Sequence, residues 1–133
     1  MIKVFTNGCF DIIHPGHLRM IKYCAMLGDH VMVGIDSDRR VKELKGAKRP
    51  INSEETRRLI LLNFRWVNDV QIFDTDEELV NLVAGYSPDY MIVGSDWEGK
   101  KVIGSEHTKI LGYYEKINEH STSKIIEDII NRR

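Results

Sequence analysis

The chain has 133 residues, 42% of them hydrophobic, and a formal net charge of −1 at pH 7. This length and composition are ordinary for one globular unit, so we expect residues 1–133 to form a single domain with a hydrophobic core. Without an excess of positive charge there is no general field to attract nucleic acid. No apolar run approaches the roughly 20 residues that a membrane-spanning helix needs, so membrane partners are not expected either.

The start of the chain and its cysteines both indicate a reducing compartment. Residues 1–4 enter an apolar run at once and lack the layout of a signal peptide. Two cysteines, Cys9 and Cys24, are too few for a disulfide scaffold, so we expect free thiols in a cytoplasmic protein. Small size is the simplest reason for Cys9 at its position, and a catalytic thiol is the alternative.

Short apolar runs alternate with helix-start signals along the chain. The runs predict five strands, at residues 2–5, 31–35, 67–73, 90–93 and 113–117. Helices are expected at 18–27, through 44 after a cap at 36–38, after a cap at 52 or 53, at 77–85, and after a cap at 121–123, the last with Ile125, Ile126, Ile129 and Ile130 facing inward. This alternation predicts an α/β fold, a doubly wound, Rossmann-like parallel five-stranded sheet flanked by helices.

One stretch, residues 8–17 (Gly-Cys-Phe-Asp-Ile-Ile-His-Pro-Gly-His), lies between the first strand and the first helix. Open α/β sheets bind ligands at such turns, and the free N–H groups of a helix start attract phosphate. His14 and His17 are three residues apart, so both can project from one side of that turn. The pattern predicts a polyphosphate site. Two ordinary surface histidines, or two ligands of a zinc site, are the alternatives.

The combination G-x-F-D followed by H-x-G-H, directly after an N-terminal strand, resembles the nucleotidyltransferase superfamily. That superfamily includes glycerol-3-phosphate cytidylyltransferase and the heptose-1-phosphate adenylyltransferases, and the resemblance covers nearly the whole chain. It implies that an acceptor phosphate attacks the α-phosphorus of a nucleoside triphosphate in line and that pyrophosphate leaves. It also implies Mg²⁺ as cofactor and a homodimer.

The resemblance and the expected sheet edge together give a set of candidate site residues. The catalytic candidates are His14, His17, Lys45 and Lys48, of which the lysines would hold the leaving phosphates. The nucleotide-binding candidates are Asn7, Gly8, Cys9, Phe10, Asp11, Gly16, Gly94, Asp96, Ser121, Thr122 and Ser123. The substrate-binding candidates are Asp36, Arg57 and Trp97, and Asp11 is either a helper for Mg²⁺ or an anchor of its turn. The ordinary alternatives are a solvated loop for the lysines, a simple helix cap for 121–123 and an exposed helix charge for Arg57.

The sequence contains conflicting indications of the substrate. Residues 44–52 and 102–106 resemble the heptose-1-phosphate adenylyltransferases, whereas residues 94–100 resemble the glycerol-3-phosphate cytidylyltransferase loop. Residues 116–118 (Lys-Ile-Asn) stand where the cytidylyltransferases have an Arg-Thr pair. We therefore favour ATP with a sugar 1-phosphate over CTP with glycerol 3-phosphate. A nucleotide-binding regulatory module without chemistry and an electron-transfer flavoprotein are the alternatives from other classes.

Overall fold

The computed structural model describes residues 1–115 and 122–132, and its centre is a parallel five-stranded sheet. The strands are β1 (Lys3–Gly8), β2 (His30–Asp36), β3 (Asp69–Phe73), β4 (Tyr90–Gly94) and β5 (Ile110–Tyr114), in the order β3-β2-β1-β4-β5. The helices are α1 (Pro15–Leu27), α2 (Asp38–Lys45), α3 (Glu54–Leu62), α4 (Asp76–Tyr86) and α5 (Thr122–Asn131). The predicted doubly wound α/β fold is confirmed.

The strand order explains where a ligand can bind. The chain moves outward from β1 to β2 and β3, and then returns to place β4 on the other side of β1. The connections on the two sides of β1 therefore run in opposite directions. In open parallel sheets, the crevice at the carboxyl ends of the strands beside such a reversal is the usual ligand site.

Alternating side chains of the strands divide the core into two layers. On one face Val4 packs with Ile21 and Cys24 of α1 and with Leu61 of α3. On the other face Phe5 and Met91 pack with Leu79 and Val83 of α4. Neighbouring residues of β1 thus serve opposite layers, as the two-residue period of a strand requires. Near-continuous apolar strands are expected when both faces are covered.

The last strand begins earlier than the sequence predicted. β5 spans Ile110–Tyr114 and not residues 113–117, and its pairing runs from Ile110 beside Tyr90 to Tyr114 beside Gly94. The backbone N–H of Ile110 donates to the carbonyl of Asp89 at 3.0 Å, which starts the ladder. Periodicity failed here because Ile110, at 51% exposed, lies on an edge strand. Residues 116 and 117 lie outside the described residues.

Other element boundaries differ less. α1 begins at Pro15 and not at residue 18, and β3 begins at Asp69 and not at residue 67. The segment between β4 and β5 contains two short 3₁₀ turns, Ser95–Trp97 and Ser105–His107. In the described part of the chain, none of the helices combines the length and the apolar character needed to cross a membrane.

The inward apolar face predicted for α5 is only partly correct. Ile125 and Ile126 are half-buried, but Ile129 and Ile130 are each 57% exposed. The first turn of α5 is held by Thr122, whose hydroxyl donates to the carbonyl of Ile12 at 3.2 Å. The helix is therefore attached at its start, beside the first turn of the chain, while its last turn extends into solvent.

Candidate active site

A cleft of about 1020 Å³ opens at the carboxyl edge of the sheet. Most of the predicted site residues line it, namely Asn7, Gly8, Cys9, Phe10, His14, Gly16, His17, Asp36, Lys45, Gly94, Asp96, Trp97, Thr122 and Ser123. The sequence analysis missed several others that line the same cleft, among them Arg19, Met20, Arg40, Asp76, Ser95 and Tyr114. Ser121 lies outside the described residues.

His14 and His17 form a reciprocal cap at the start of α1. His14 is the N-cap residue, and its Nδ1 accepts a hydrogen bond from the backbone N–H of Gly16 at 3.1 Å. The Nδ1 of His17 accepts in turn from the backbone N–H of His14 at 3.2 Å. The two ring centroids are 3.8 Å apart. This is the geometry of a capping box, built here from two imidazoles in place of Ser and Glu.

The cap fixes which ring nitrogens carry protons. A neutral imidazole has one donor and one acceptor nitrogen. Because Nδ1 accepts in both His14 and His17, the proton of each neutral ring is on Nε2. Both side chains line the cleft. The cap therefore presents two Nε2–H donors on a fixed frame, which is suited to an anion.

Phe10 explains why the turn before α1 is so sharply defined. Its φ is +53°, an uncommon conformation for a bulky residue that costs about 1–3 kcal/mol. The ring is buried and lies 5.0 Å from the His17 ring, centroid to centroid. A Cβ at Gly8 would meet the Phe10 ring at 3.1 Å, so a larger residue there would push the ring by a few tenths of an ångström. The Phe10 ring thus packs against the His17 ring, and Gly8 leaves room for it.

Asp11 is an anchor of the turn. It is 1% exposed, and its two carboxylate oxygens accept from the backbone N–H groups of Ile51 and Asn52 at 2.8 Å each. The Asn52 amide donates back to the Asp11 carbonyl at 2.8 Å. A carboxylate closed off in this way is not suited to bind Mg²⁺, which prefers accessible oxygen ligands and several waters.

The other possible metal ligands among the described residues do not form a cluster. Within residues 1–115 and 122–132, no group of three or more His, Cys, Asp or Glu side chains could hold a metal ion. A Mg²⁺ ion that binds mainly through the phosphates of a nucleotide needs no such group, so the use of Mg²⁺ stays a prediction. Of the two roles expected for Asp11, the hydrogen bonds of its carboxylate favour the anchor of the turn.

Arg57 is also placed differently from the prediction. It is fully buried at 0% exposed, and it donates to the carbonyls of Cys9, Asp36 and Asn52 and to the Asp38 carboxylate, all within 3.0 Å. No part of the side chain reaches the cleft, so Arg57 cannot contact a substrate there. It ties the ends of β1 and β2 to the start of α3, and it acts on the site through their positions.

The basic loop after α2 distributes its charges unevenly. Lys45 lines the cleft, whereas Lys48 is exposed and does not line it. Arg49 turns inward, with 16% of its side chain exposed, and donates to the Ser123 hydroxyl at 2.9 Å. The structure therefore brings Lys45 to the site as predicted and leaves Lys48 outside it.

The pKa values of the two thiols are both raised, which lowers the reactivity of each. Burial raises the pKa of Cys9 above its usual value, which outweighs the lowering effect of Lys45 and Arg57. Burial also raises the pKa of Cys24, to about 12. Both cysteines are free, as predicted. A thiol that holds its proton is a poor nucleophile, so the geometry does not favour Cys9 as a catalytic group.

A charged cluster in the cleft lining joins the predicted Asp36 to two residues that the sequence analysis missed, Arg40 and Asp76. Arg40 is 16% exposed and donates to Asp36 and to Asp76, each at 2.8 Å. Its guanidinium lies over the Phe73 ring, 5.2 Å from the centroid. With two carboxylates for one guanidinium, these three side chains together carry a net negative charge and offer acceptors. The spacing of Asp36 and Arg40, four residues apart, was the available signal.

The comparisons with known proteins identify the family of the chain. Residues 5–128 match the family model described as Cytidylyltransferase-like. The chain is 44% identical over 95% of its length to "Bifunctional protein HldE" of Campylobacter fetus, and 43% identical over 98% to that of Campylobacter jejuni. It spans only about a quarter of these relatives, 27% and 28% of their lengths.

A solved structure shows the same architecture over most of both chains. The lipopolysaccharide core biosynthesis protein of Thermoplasma volcanium superposes with a TM-score of 0.71 at 25% identity, covering 86% of this chain and 98% of that one. The family match covers the β1–α1 turn, the histidine cap and most of the described part of α5. The chain therefore belongs to the cytidylyltransferase-like family of nucleotidyltransferases, as its G-x-F-D and H-x-G-H motifs predicted.

Proposed function

We propose that this domain transfers a nucleoside monophosphate from a nucleoside triphosphate to a small sugar 1-phosphate and releases pyrophosphate. The observation that supports it best is the reciprocal histidine cap, which presents two Nε2–H donors in the cleft. Phosphoryl transfer needs mainly positioning and stabilisation of charge. A rigid pair of donors beside a helix start supplies both.

In the proposed reaction an oxygen of the acceptor phosphate forms a bond to the α-phosphorus, and the bond from that phosphorus to the β-bridging oxygen breaks. The electron pair leaves with pyrophosphate, so no covalent intermediate with the protein is needed. His14 and His17 donate to the α-phosphate oxygens as negative charge builds on them. Donors placed for a developing charge act mostly in the transition state.

Lys45 is the group proposed to hold the β- and γ-phosphates, since it is the loop lysine that lines the cleft. Mg²⁺ enters this proposal as part of the nucleotide substrate, because the described residues do not form a metal site and Mg²⁺ commonly binds through substrate phosphates. At the start of α5, Ser123 lies in the cleft wall and is proposed to supply a further donor to the nucleotide, whereas the Thr122 hydroxyl donates to Ile12.

The acceptor is proposed to lie toward the Asp36–Arg40–Asp76 cluster. The net negative charge of that cluster disfavours phosphate but suits hydroxyl groups, which donate to carboxylates. A sugar 1-phosphate meets both needs, because its phosphate can reach the histidines while its hydroxyls point to the carboxylates. A homodimer remains a proposal from the family resemblance.

Among sugar phosphates we propose a heptose 1-phosphate with ATP. Residues 44–52 and 102–106 resemble the heptose-1-phosphate adenylyltransferases. The relatives named HldE and the lipopolysaccharide core biosynthesis protein support a role in making activated sugars. The second candidate is glycerol 3-phosphate with CTP, favoured by residues 94–100, where Trp97 and Asp96 line the cleft.

The test is a screen of pyrophosphate release with ATP, CTP, GTP and UTP against heptose 1-phosphate, glycerol 3-phosphate and a panel of other sugar phosphates. We expect turnover with ATP and heptose 1-phosphate, and a large preference over CTP, because unpaired hydrogen-bonding groups at a base edge are costly. For any replacement of His14 or His17 in this assay, His107→Ala is the matched control, since His107 lies on a 3₁₀ turn away from the cleft lining. Turnover only with CTP and glycerol 3-phosphate would reverse the choice, and nucleotide binding without any turnover would favour a sensing module.

A further inference from the structure

Arg49 stands out among the basic residues that the proposed mechanism does not use. It lies in the loop between α2 and α3, next to the exposed Lys48, but its own side chain is directed inward. Its NH2 group donates to the Ser123 hydroxyl at 2.9 Å, which joins this loop to the first turn of α5 across 74 positions of the sequence. This contact connects the loop to Ser123, which lines the cleft.

The other side of the guanidinium faces an anion whose oxygens already accept two hydrogen bonds. The NH1 group lies 4.0 Å from the Asp11 carboxylate, too far for a hydrogen bond. Both oxygens of Asp11 already accept from the backbone N–H groups of Ile51 and Asn52. Asp11 therefore neutralises part of the charge on Arg49 without setting its orientation.

The NH1 group is itself buried and lacks a hydrogen-bond partner among the residues described. Buried donors of this kind are rare in proteins, because leaving one unpaired costs stability. In the described part of the structure, the hydrogen bond that orients the guanidinium is the one to Ser123. Arg49 and Ser123 thus fix one another's positions.

The direction of this hydrogen bond determines what Ser123 can do. A serine hydroxyl has one proton to donate and two lone pairs that accept. Because the Ser123 oxygen accepts from Arg49, the hydroxyl proton is directed elsewhere. Ser123 lines the cleft beside Thr122 at the start of a ten-residue helix. A donor at that place, backed by a guanidinium, faces the region where the nucleotide phosphates are proposed to bind.

We propose that Arg49 is a positioning residue for the nucleoside triphosphate, acting through Ser123. By donating to the Ser123 oxygen it turns that hydroxyl into a donor for a phosphate oxygen, and it holds the start of α5 against the first turn of the chain. The ligand class is the polyphosphate of a nucleotide. This inference rests on the proposed function, because it places the triphosphate in the same cleft.

A double-mutant cycle tests the coupling. The four proteins are the wild type, Arg49→Lys, Ser123→Ala and the double variant, and the dissociation constant is measured for the non-hydrolysable analogue α,β-methylene-ATP and for AMP. Charge-assisted hydrogen bonds are strong, so each single change should weaken binding of the analogue about tenfold. The double variant should be no weaker than the weaker single variant, because the two residues act as one unit. AMP binding should change less than about threefold in all variants, since the contact is to the outer phosphates.

A control and a second readout separate this role from a purely structural one. Lys42→Ala removes a charge from an exposed residue of α2 that does not line the cleft, and it should leave analogue binding within about twofold of wild type. Thermal unfolding of each variant reports on the fold. Losses in Arg49→Lys and Ser123→Ala that multiply in the double variant would overturn the coupling. Lower melting temperatures with unchanged analogue binding would show that Arg49 only stabilises the fold.

The proposed function can fail separately from this inference. If the wild type binds the analogue with the expected coupling but releases no pyrophosphate with any acceptor, the transferase proposal fails and the role of Arg49 stands. If the wild type turns over substrate but the cycle is additive, the transferase proposal stands and the role of Arg49 is wrong. If neither ATP nor CTP analogues bind the wild type, both proposals are wrong.

Discussion

The turn before α1 and the loop before α3 both contribute to the cleft, but they are built in different ways. In the turn, the side chains of His14 and His17 bond to backbone groups two and three residues away. In the loop, Ile51 and Asn52 bond to Asp11, about 40 positions distant, and Arg49 bonds to Ser123. The turn is determined by its own sequence, whereas the loop receives its shape from the rest of the chain.

The difference shows which site residues a sequence motif can identify. The histidines could be assigned before the fold was known, because their spacing at a helix start and their motif are local; the cap, which fixes the protonated nitrogens, is seen only in the structure. Adjacent cations in a loop have no such local rule. Lys45 lines the cleft, Lys48 does not, and Arg49 faces the interior. Tertiary contacts decided among the three.

The largest expected effect separates the two functions of a histidine in the turn. His14→Asn keeps a side-chain oxygen that can accept from Gly16, since Asn is among the best N-cap residues, but it removes the Nε2–H donor. We expect turnover to fall about 10²–10³-fold, the range for loss of a positioned donor, with a melting temperature close to wild type. His14→Ala should lose as much activity and be less stable by about 1 kcal/mol.

Steady-state pyrophosphate release and thermal unfolding measure both effects, with His107→Ala as control. Nearly full activity in His14→Asn would mean that His14 serves the fold alone. The tautomer can be examined directly, because ¹⁵N NMR distinguishes a protonated from an unprotonated ring nitrogen. Protons on Nδ1 of His14 or His17 would contradict the reciprocal cap.

The next effect concerns the connection between the two regions. Asp11→Asn replaces one accepting oxygen of a buried carboxylate by an NH₂ group that faces a backbone N–H. A buried backbone N–H group that loses its acceptor costs about 1–3 kcal/mol. Chemical denaturation should therefore show a free energy of unfolding that is lower by about that amount. Asp128→Asn, at an exposed position of α5, is the matched control and should be near neutral. A change in the Mg²⁺ requirement with no loss of stability would restore Asp11 as a metal ligand.

A smaller effect compares two lysines of the same loop. Lys45→Ala should raise KM for the triphosphate about tenfold, because a charged partner of a phosphate is lost. Lys48→Ala should change it by less than about twofold, as is usual for an exposed charge. Kinetics at several nucleotide concentrations measures both. Equal losses would mean that the loop closes over the nucleotide and brings Lys48 into the site.

The smallest expected effect lies at the acceptor end. Asp76→Asn keeps the shape of a residue whose carboxylate is 67% exposed. Loss of a hydroxyl partner should raise KM for the sugar phosphate about threefold, the range of one ordinary hydrogen bond, with KM for ATP unchanged. Asp74→Asn, two residues before α4 and outside the cleft lining, is the control. An equal rise for ATP would move the nucleotide to this end of the cleft.

Sequence reasoning succeeded where patterns are local or periodic. It identified the α/β architecture, the histidine turn and most residues at the carboxyl edge of the sheet. It failed for Arg57, a charge in a helical pattern that is fully buried and bonded to three carbonyls. It also failed for the ion pair of Arg40 with Asp76 and for the start of β5, because a pair between distant residues and pairing at a sheet edge leave no periodic trace.

The cap at the start of α1 has a consequence for how this site responds to acid. Each imidazole uses its Nδ1 lone pair to hold a backbone N–H group. A ring that takes up a second proton can no longer accept there, so it must release the N–H group that it held. Each Nδ1 can therefore either carry a proton or accept the backbone N–H, but not both. Protonation of the histidines would add positive charge to the site and at the same time break the hydrogen bonds that orient the two rings.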